Sequence, residues 1–456
     1  MLSWVIVNIL VSAFFALSIR SVLMRAYLAI NYLVLLNPLV MWFLFDASHP
    51  KFTPQNPTNE TALIYILLFN IILCLSYLLF MKVIPGSQLV RGLILKHKAN
   101  NLRNVNIVVL LVLVLAIVGY GGKMVLDHFG AFRMLGQFTY GEGVLQMMKQ
   151  ISIFDLLAII FLGELRLRLY RSTWLLRFAL LILLASSLLF AFWSGSRGQV
   201  VVVILLGMIA YRDIIRRHIF IFMLSMSLLL PMVFYIFPLL SFYRGYGYDF
   251  ETAMSMFRMM EEDRFEVALD VIITRFNYFA ALVRAIEHVE YNGAAGGMVY
   301  WNNLFGLIPR MIWESKPLIS NDSQLLAHEL GLVSSVDNNT SVGLRVIGES
   351  FYELAWLGVL VACFQALLFV IIQKNTYCPG SRVAMTIYTY MILYILQRDG
   401  YFAVIPGLAL QMIGIIIFFG AMAIFLAAST TRRVRMKEVN EKDYGGRRTT
   451  LHISSR

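Results

Sequence analysis

The residues best suited to chemistry in this chain are arginines set beside glycine, proline or a carboxylate, several where an apolar run ends. Ser194-Gly195-Ser196-Arg197-Gly198 holds one guanidinium in a turn whose two glycines permit a tight bend and close approach by a ligand. Gln397-Arg398-Asp399-Gly400 holds a second, between two further apolar runs. A third group opens with Phe242-Tyr243-Arg244-Gly245-Tyr246-Gly247 and continues with Ile308-Pro309-Arg310-Met311-Ile312-Trp313-Glu314-Ser315-Lys316-Pro317. It ends with Arg345, Glu349 and Glu353, spaced so that a helix puts them on one face. A guanidinium stays charged and grips phosphate oxygens through two parallel donors. A cavity lined by Arg197, Arg244, Arg310, Arg345 and Arg398, with Lys316, is therefore suited to phosphate or pyrophosphate. Glu349, Glu353, Asp399 and His328 are the candidate bases, and the choice among the four stays open. Tyr243, Tyr246 and Trp313 offer flat faces on which sugar rings can rest. Arg258, Arg264, Arg275 and Arg284 sit among carboxylates and read as a solvated helical surface.

The elements that position these groups are membrane helices. Hydrophobic residues make up 59% of the 456 residues and charged residues 14%, too little charge to cover a soluble surface of that size. The apolar residues come in runs of roughly 20, the length a helix needs to cross about 30 Å of hydrocarbon. About eleven spans are predicted, at 3–19, 27–46, 62–84, 105–126, 151–165, 174–193, 199–211, 219–242, 352–372, 383–397 and 405–428. The first carries no small-residue cleavage site and reads as a retained helix. Every second short linker is basic: Arg20 and Arg25; Arg91, Lys96, Lys98 and Arg103; Arg166, Arg168, Arg171 and Arg177; Arg212, Arg216 and Arg217; Lys374 and Arg382. The tail after the last span adds Arg432, Arg433, Arg435 and Lys437. The positive-inside rule then sets the N-terminus outside and the C-terminus in the cytoplasm. The chain divides into membrane helices over 1–242, a long outer loop over 243–351, further membrane helices over 352–428 and a basic cytoplasmic tail over 429–456. Within the loop, 265–288 and 292–313 read as amphipathic stretches on the membrane surface.

This topology puts the arginines at the outer rim. From the Ser-Gly turn to the basic cluster at Arg212 there are only about 14 residues, roughly 20 Å of helix, too short to span. Either the helix begins within the turn or the bilayer thins, and in both cases Arg197 sits at or below the outer boundary, where a cation is costly unless paired or facing a wet cavity. The competing reading is a side chain snorkelling to headgroup phosphates; for Arg398 it is a local pair with Asp399. At the outer face of a membrane the obvious source of pyrophosphate is a lipid-linked one. Transfer of a glycan from such a lipid needs a stabilised leaving group, which arginines supply, and a base for the acceptor hydroxyl.

The plan and these motifs resemble the bacterial O-antigen and oligosaccharide repeat-unit polymerases of the Wzy type. The resemblance rests on the Ser-Gly-Ser-Arg-Gly turn followed by an aliphatic run, the 308–317 segment, Gly348-Glu349-Ser350-Phe351-Tyr352 entering a span, and Arg398-Asp399-Gly400. It implies an all-α, GT-C-like glycosyltransferase of the bacterial inner membrane. The growing glycan would leave undecaprenyl pyrophosphate for the end sugar of an incoming lipid-linked repeat unit. It also implies that arginines of outer loops hold the pyrophosphate, here Arg197, Arg244, Arg310, Arg345 and Arg398. Expected partners are undecaprenyl-pyrophosphate-linked oligosaccharide and membrane lipids, with a chain-length regulator and a flippase as further candidates.

Other classes lack their parts. The net charge of +12 lies mostly in the short linkers, and no nucleic-acid module accompanies it. There is no Asp-X-Asp metal motif, no HExxH and no Walker A loop, so no metal or other cofactor is expected. The three cysteines fall outside the long loop, so no disulfide framework is expected. The nearest rival is an O-antigen ligase, with the same architecture and donor but lipid A-core as acceptor; it would rely on a loop histidine, and the loop offers only His288 and His328. A polysaccharide flippase or other transporter would carry more charge within its spans, and no internal repeat supports that reading.

Overall fold

A computed structural model describes residues 1–19, 21–29, 56–85, 105–128, 151–168, 173–193, 197–220, 249–259, 278–298, 328–332, 344–378, 381–397 and 411–424, with a few isolated positions. Among the described residues every regular element is helical and no strand occurs. Four helical stretches are long and apolar enough to cross a membrane: Thr58–Val83, Val105–Leu126, Trp174–Trp193 and Arg345–Thr376. Three shorter apolar helices stand beside them, Leu2–Ser18, Arg382–Ile395 and Gln411–Ile424. Around the perimeter Leu10, Phe14, Leu79, Ile117, Leu181, Leu189, Phe364 and Ile416 are exposed. So many large apolar side chains on the surface suit lipid and not water. The chain is an all-α protein built for a membrane.

The helices are α1 (Leu2–Ser18), α2 (Thr58–Val83), α3 (Val105–His128), α4 (Phe154–Arg168), α5 (Trp174–Trp193), α6 (Arg197–Ala210) and α7 (Arg212–Arg217). There follow α8 (Phe250–Met259), α9 (Tyr278–Asn292), α10 (Arg345–Leu354), α11 (Val361–Thr376), α12 (Arg382–Gln397) and α13 (Gln411–Ile424). Two hubs organise them. α4 packs against α3, α5, α6 and α12, and Phe154 and Phe161 meet Phe418 and Phe419 of α13 edge-on. Leu157, Ala158, Ile159, Leu162 and Leu165 of α4 are all fully buried, as expected of a helix surrounded by four others. The second hub is α2, against which α1, α9 and α11 pack.

Most predicted spans coincide with helices to within a few residues. The 199–211 run is a helix described over Arg197–Ala210, 14 residues or about 21 Å, so it includes the arginine of the Ser-Gly segment. The run predicted at 352–372 behaves differently. Its helix begins at Arg345, breaks at Ala355 (φ 50°, ψ −133°), runs through a 3₁₀ stretch over Ala355–Leu360 and resumes as α11. Apolar content extends across the break, so hydropathy alone cannot see it. Of the span predicted at 27–46 only 27–29 and Asn31 are described, and the span predicted at 219–242 lies almost wholly outside the described residues.

Candidate functional site

The break at Ala355 is what builds the site. Continued straight, α10 would carry Arg345 about 24 Å beyond the start of α11. Instead the chain turns back, bringing Gly358 against the Ser350 carbonyl and the Tyr65 hydroxyl. Arg345 Nε is buried, so the residue lies at the inner end of a half-helix folded back into the protein. Irregular backbone of this kind is tolerated in a membrane protein where it is buried in protein or lines a cavity. The turn depends on Gly358: a Cβ there would lie 2.0 Å from the carbonyl oxygen of Ser350 and 2.6 Å from the Tyr65 hydroxyl, so no side chain fits.

Arg345 opens α10 with φ at 53°, a conformation that L-residues other than Asn and Asp rarely adopt. Such strain persists only where the surroundings over-determine it, and it gathers at functional positions. Its guanidinium lies 5.0 Å from the ring centre of Tyr278, the first residue of α9. Glu349 and Glu353 follow on α10, both buried, with Glu353 fully so. Between them Ser350 donates to the Ile347 carbonyl (2.8 Å), which leaves its oxygen to accept from the Tyr65 hydroxyl of α2 (2.9 Å). Phe351 and Trp356 close edge-on around the same tyrosine ring.

The other end of α10 is capped from the loop. A glycine-rich turn after α9, with Gly293, Gly296 and Gly297 at positive φ, presents the Ala295 and Gly296 amides to the carbonyls of Tyr352 and Glu353 (3.1 and 2.9 Å). These carbonyls lose their helical partners at the break, and the turn satisfies them. The Asn56 side chain donates to Glu287, fastening α9 to the start of α2. Beside this cap the Glu329 carboxylate accepts from the Tyr352 hydroxyl (2.9 Å) and lies 3.5 Å from Nε2 of His288. The His288 ring packs on Tyr352 at 5.4 Å, and its Nδ1 meets the Asn292 amide at 3.2 Å.

A second charged cluster joins α3, α4 and α5. Lys123 Nζ lies 2.5 Å from Asp155 Oδ2, with the two side chains 8% and 0% exposed. Ser187 donates to the same oxygen (2.9 Å). The Tyr120 hydroxyl is shared among Ser186, Ser187 and the Leu183 carbonyl at 2.7, 2.7 and 3.0 Å. Lys123 also stands 5.3 Å from the Phe190 ring, one helical turn before the Ser194–Gly198 segment. A buried pair inside a membrane bundle is costly to desolvate; here Oδ2 of Asp155 takes both Lys123 and Ser187, while Oδ1 is buried with no hydrogen-bond partner among the described residues. At the opposite end of α4, Arg166 pairs through two nitrogens with Asp213 (2.7 and 3.2 Å) and stacks on Tyr211, while Arg212 reaches the buried Glu164 at 3.4 Å. The Arg166 guanidinium holds the Asp213 carboxyl below the usual carboxylate range, chiefly through that hydrogen bond.

Of the sequence candidates, Arg345, Glu349 and Glu353 are brought together on α10. Both ring nitrogens of His328 are buried and have no hydrogen-bond partner among the described residues. Tyr243 is buried, its ring edge-on to Phe250 at 6.5 Å, so its face is covered. Arg197 is the first residue of α6. Arg244, Tyr246, Arg310, Trp313, Lys316, Arg398 and Asp399 lie outside the described residues. Sequence reasoning missed the Lys123–Asp155 pair and the Glu329–His288–Tyr352 cluster. The pair had a visible signal, Lys123 within one apolar run and Asp155, with Glu164, within the next. The cluster had none, because its members come from three separated segments.

Compared with protein-family models, characterised proteins and solved structures, the chain finds no match.

Proposed function

We propose that the chain is a polymerase of lipid-linked oligosaccharide repeat units, acting at the outer face of a bacterial inner membrane and crossing it about eleven times. On this reading the N-terminus faces the periplasm, the C-terminus the cytoplasm, and the 243–351 loop roofs the site from outside. The acceptor hydroxyl oxygen attacks the anomeric carbon of the donor glycan. The carbon–oxygen bond to undecaprenyl pyrophosphate breaks with its electron pair leaving on the pyrophosphate, and a carboxylate takes the hydroxyl proton. Arginines stabilise the charge that develops on the leaving group.

The observation that supports this reading best is the half-helix α10. On this reading the strained arginine at its inner end would meet the pyrophosphate, and buried carboxylates follow on the same helix. Arg197 and Arg398 are the other phosphate-binding candidates.

Deleting the gene and examining the surface glycan by gel tests the reading. Core carrying a single repeat unit indicates a polymerase; bare core indicates a ligase or a flippase and refutes the proposal. Complementation with Arg345→Ala, Arg197→Ala or Arg398→Ala is expected to leave the protein inserted and the ladder absent. A normal ladder from all three removes arginine from the mechanism.

A further inference from the structure

Resting on that reading, we propose that Glu329 is the base that takes the acceptor hydroxyl's proton, and that His288 and Tyr352 are the residues that position it. The argument begins with the seam between α9 and α10. At its inner end Tyr278 of α9 meets Arg345 of α10, and at its outer end His288 of α9 meets Tyr352 of α10. The two helices therefore run side by side in the same direction. Arg345 and Tyr352 are seven residues apart, two turns, which places them on one face of α10 about 10 Å apart along the axis. A cation thus marks one end of the seam and a carboxylate the other. That is the order in which a pyrophosphate, the sugar attached to it and an incoming hydroxyl would be laid out. The pyrophosphate comes from the bilayer and the hydroxyl from the aqueous side.

Reach distinguishes Glu329 from the carboxylates of α10. Glu349 and Glu353 are buried, whereas the Glu329 side chain is 49% exposed and open to an arriving sugar. Its orientation is nevertheless set. The Tyr352 hydroxyl donates to Oε2, and His288 Nε2 stands 3.5 Å from Oε1. The Asn292 amide meets His288 Nδ1 at 3.2 Å, which turns Nε2 of the ring toward Glu329. The Tyr352 hydroxyl thus fixes one carboxylate oxygen, and the His288 ring flanks the other. The second lone pair of each oxygen remains for the hydroxyl. In the step itself Glu329 gains the hydroxyl proton, the acceptor oxygen bonds to the anomeric carbon, and the pyrophosphate leaves with the electron pair.

The test uses the full-length protein in proteoliposomes, fed with the lipid-linked oligosaccharide that accumulates in the deletion strain. Glu329→Gln keeps the shape and can still accept from Tyr352, so it elutes as the wild type does. It is expected to lose at least about 100-fold in turnover with little change in KM, the range for removal of a general base. Glu329→Ala is expected to lose as much and to regain activity with added sodium formate, a carboxylate small enough to fill the gap. Tyr352→Phe lowers kcat with KM unchanged. Wild-type turnover by Glu329→Gln overturns the proposal, and so does loss in both Glu329 variants without formate rescue, which would make the residue a brace for the loop. No polymer from the wild type would refute the polymerase reading itself, and this inference with it.

Discussion

Removing one member of the Lys123–Asp155 pair should cost far more than removing both. Lys123→Met leaves the Asp155 carboxylate fully buried with Ser187 as its remaining donor, and stripping one partner from a buried pair costs about 3–5 kcal/mol. Asp155→Asn is milder. Its amide oxygen still accepts from Ser187, and the Lys123 ammonium keeps the faces of Tyr120 and Phe190 at 5.7 and 5.3 Å, contacts worth about 1–2 kcal/mol when desolvated. The double variant Lys123→Met/Asp155→Asn buries no net charge and keeps the Ser187 bond, so it should return to within about 1 kcal/mol of the wild type. The coupling energy of the cycle is therefore expected at about 2–4 kcal/mol, well above the few tenths found for independent sites. Equilibrium unfolding of the purified protein in mixed detergent micelles, titrated with SDS, measures all four corners. Additive losses, with the double variant the least stable, would refute the claim that these groups neutralise each other in the bundle.

Gly358→Ala must push its Cβ away from the Ser350 carbonyl by more than about 1 Å; overpacking of this sort costs about 1–3 kcal/mol, and a backbone neighbour raises it further. The variant should fail to yield a monodisperse peak in detergent, whereas Tyr65→Phe, which loses only the bond to Ser350, should cost about 1 kcal/mol and elute normally. Arg345→Gly relieves the positive φ yet removes the cation, so thermal stability should hold or rise while the glycan ladder disappears; a retained ladder would show that the guanidinium is dispensable. Asp213 titrates lower in the folded protein than its ordinary 3.8. Its contribution is therefore complete above that value and lost as pH falls through the lower folded one. The melting-temperature gap between wild type and Asp213→Asn should stay constant from pH 8 to about 5 and close only in stronger acid.

The amino-acid sequence alone determined the membrane class and most helix positions, because hydrocarbon imposes one requirement on each segment separately. Every run must be apolar over about 20 residues and must bond its own backbone. It also singled out Arg345, Glu349 and Glu353, whose spacing within one helix is a local property. What lay beyond it was the turn at Ala355, since the run 345–376 stays apolar enough to read as one continuous span. The reversal depends on contacts far apart in the chain: Gly358 against Ser350 and Tyr65, and the 293–297 turn against the carbonyls of Tyr352 and Glu353. The same holds for Glu329, His288 and Tyr352, and for Lys123 and Asp155. Each of these residues is unremarked in its own segment and acquires meaning only from a partner 23 to 64 positions away. Hydropathy is a property of one helix, whereas a charge pair or a held carboxylate is a property of several. Only the packing of α9 on α10, and of α3 and α5 on α4, decided those.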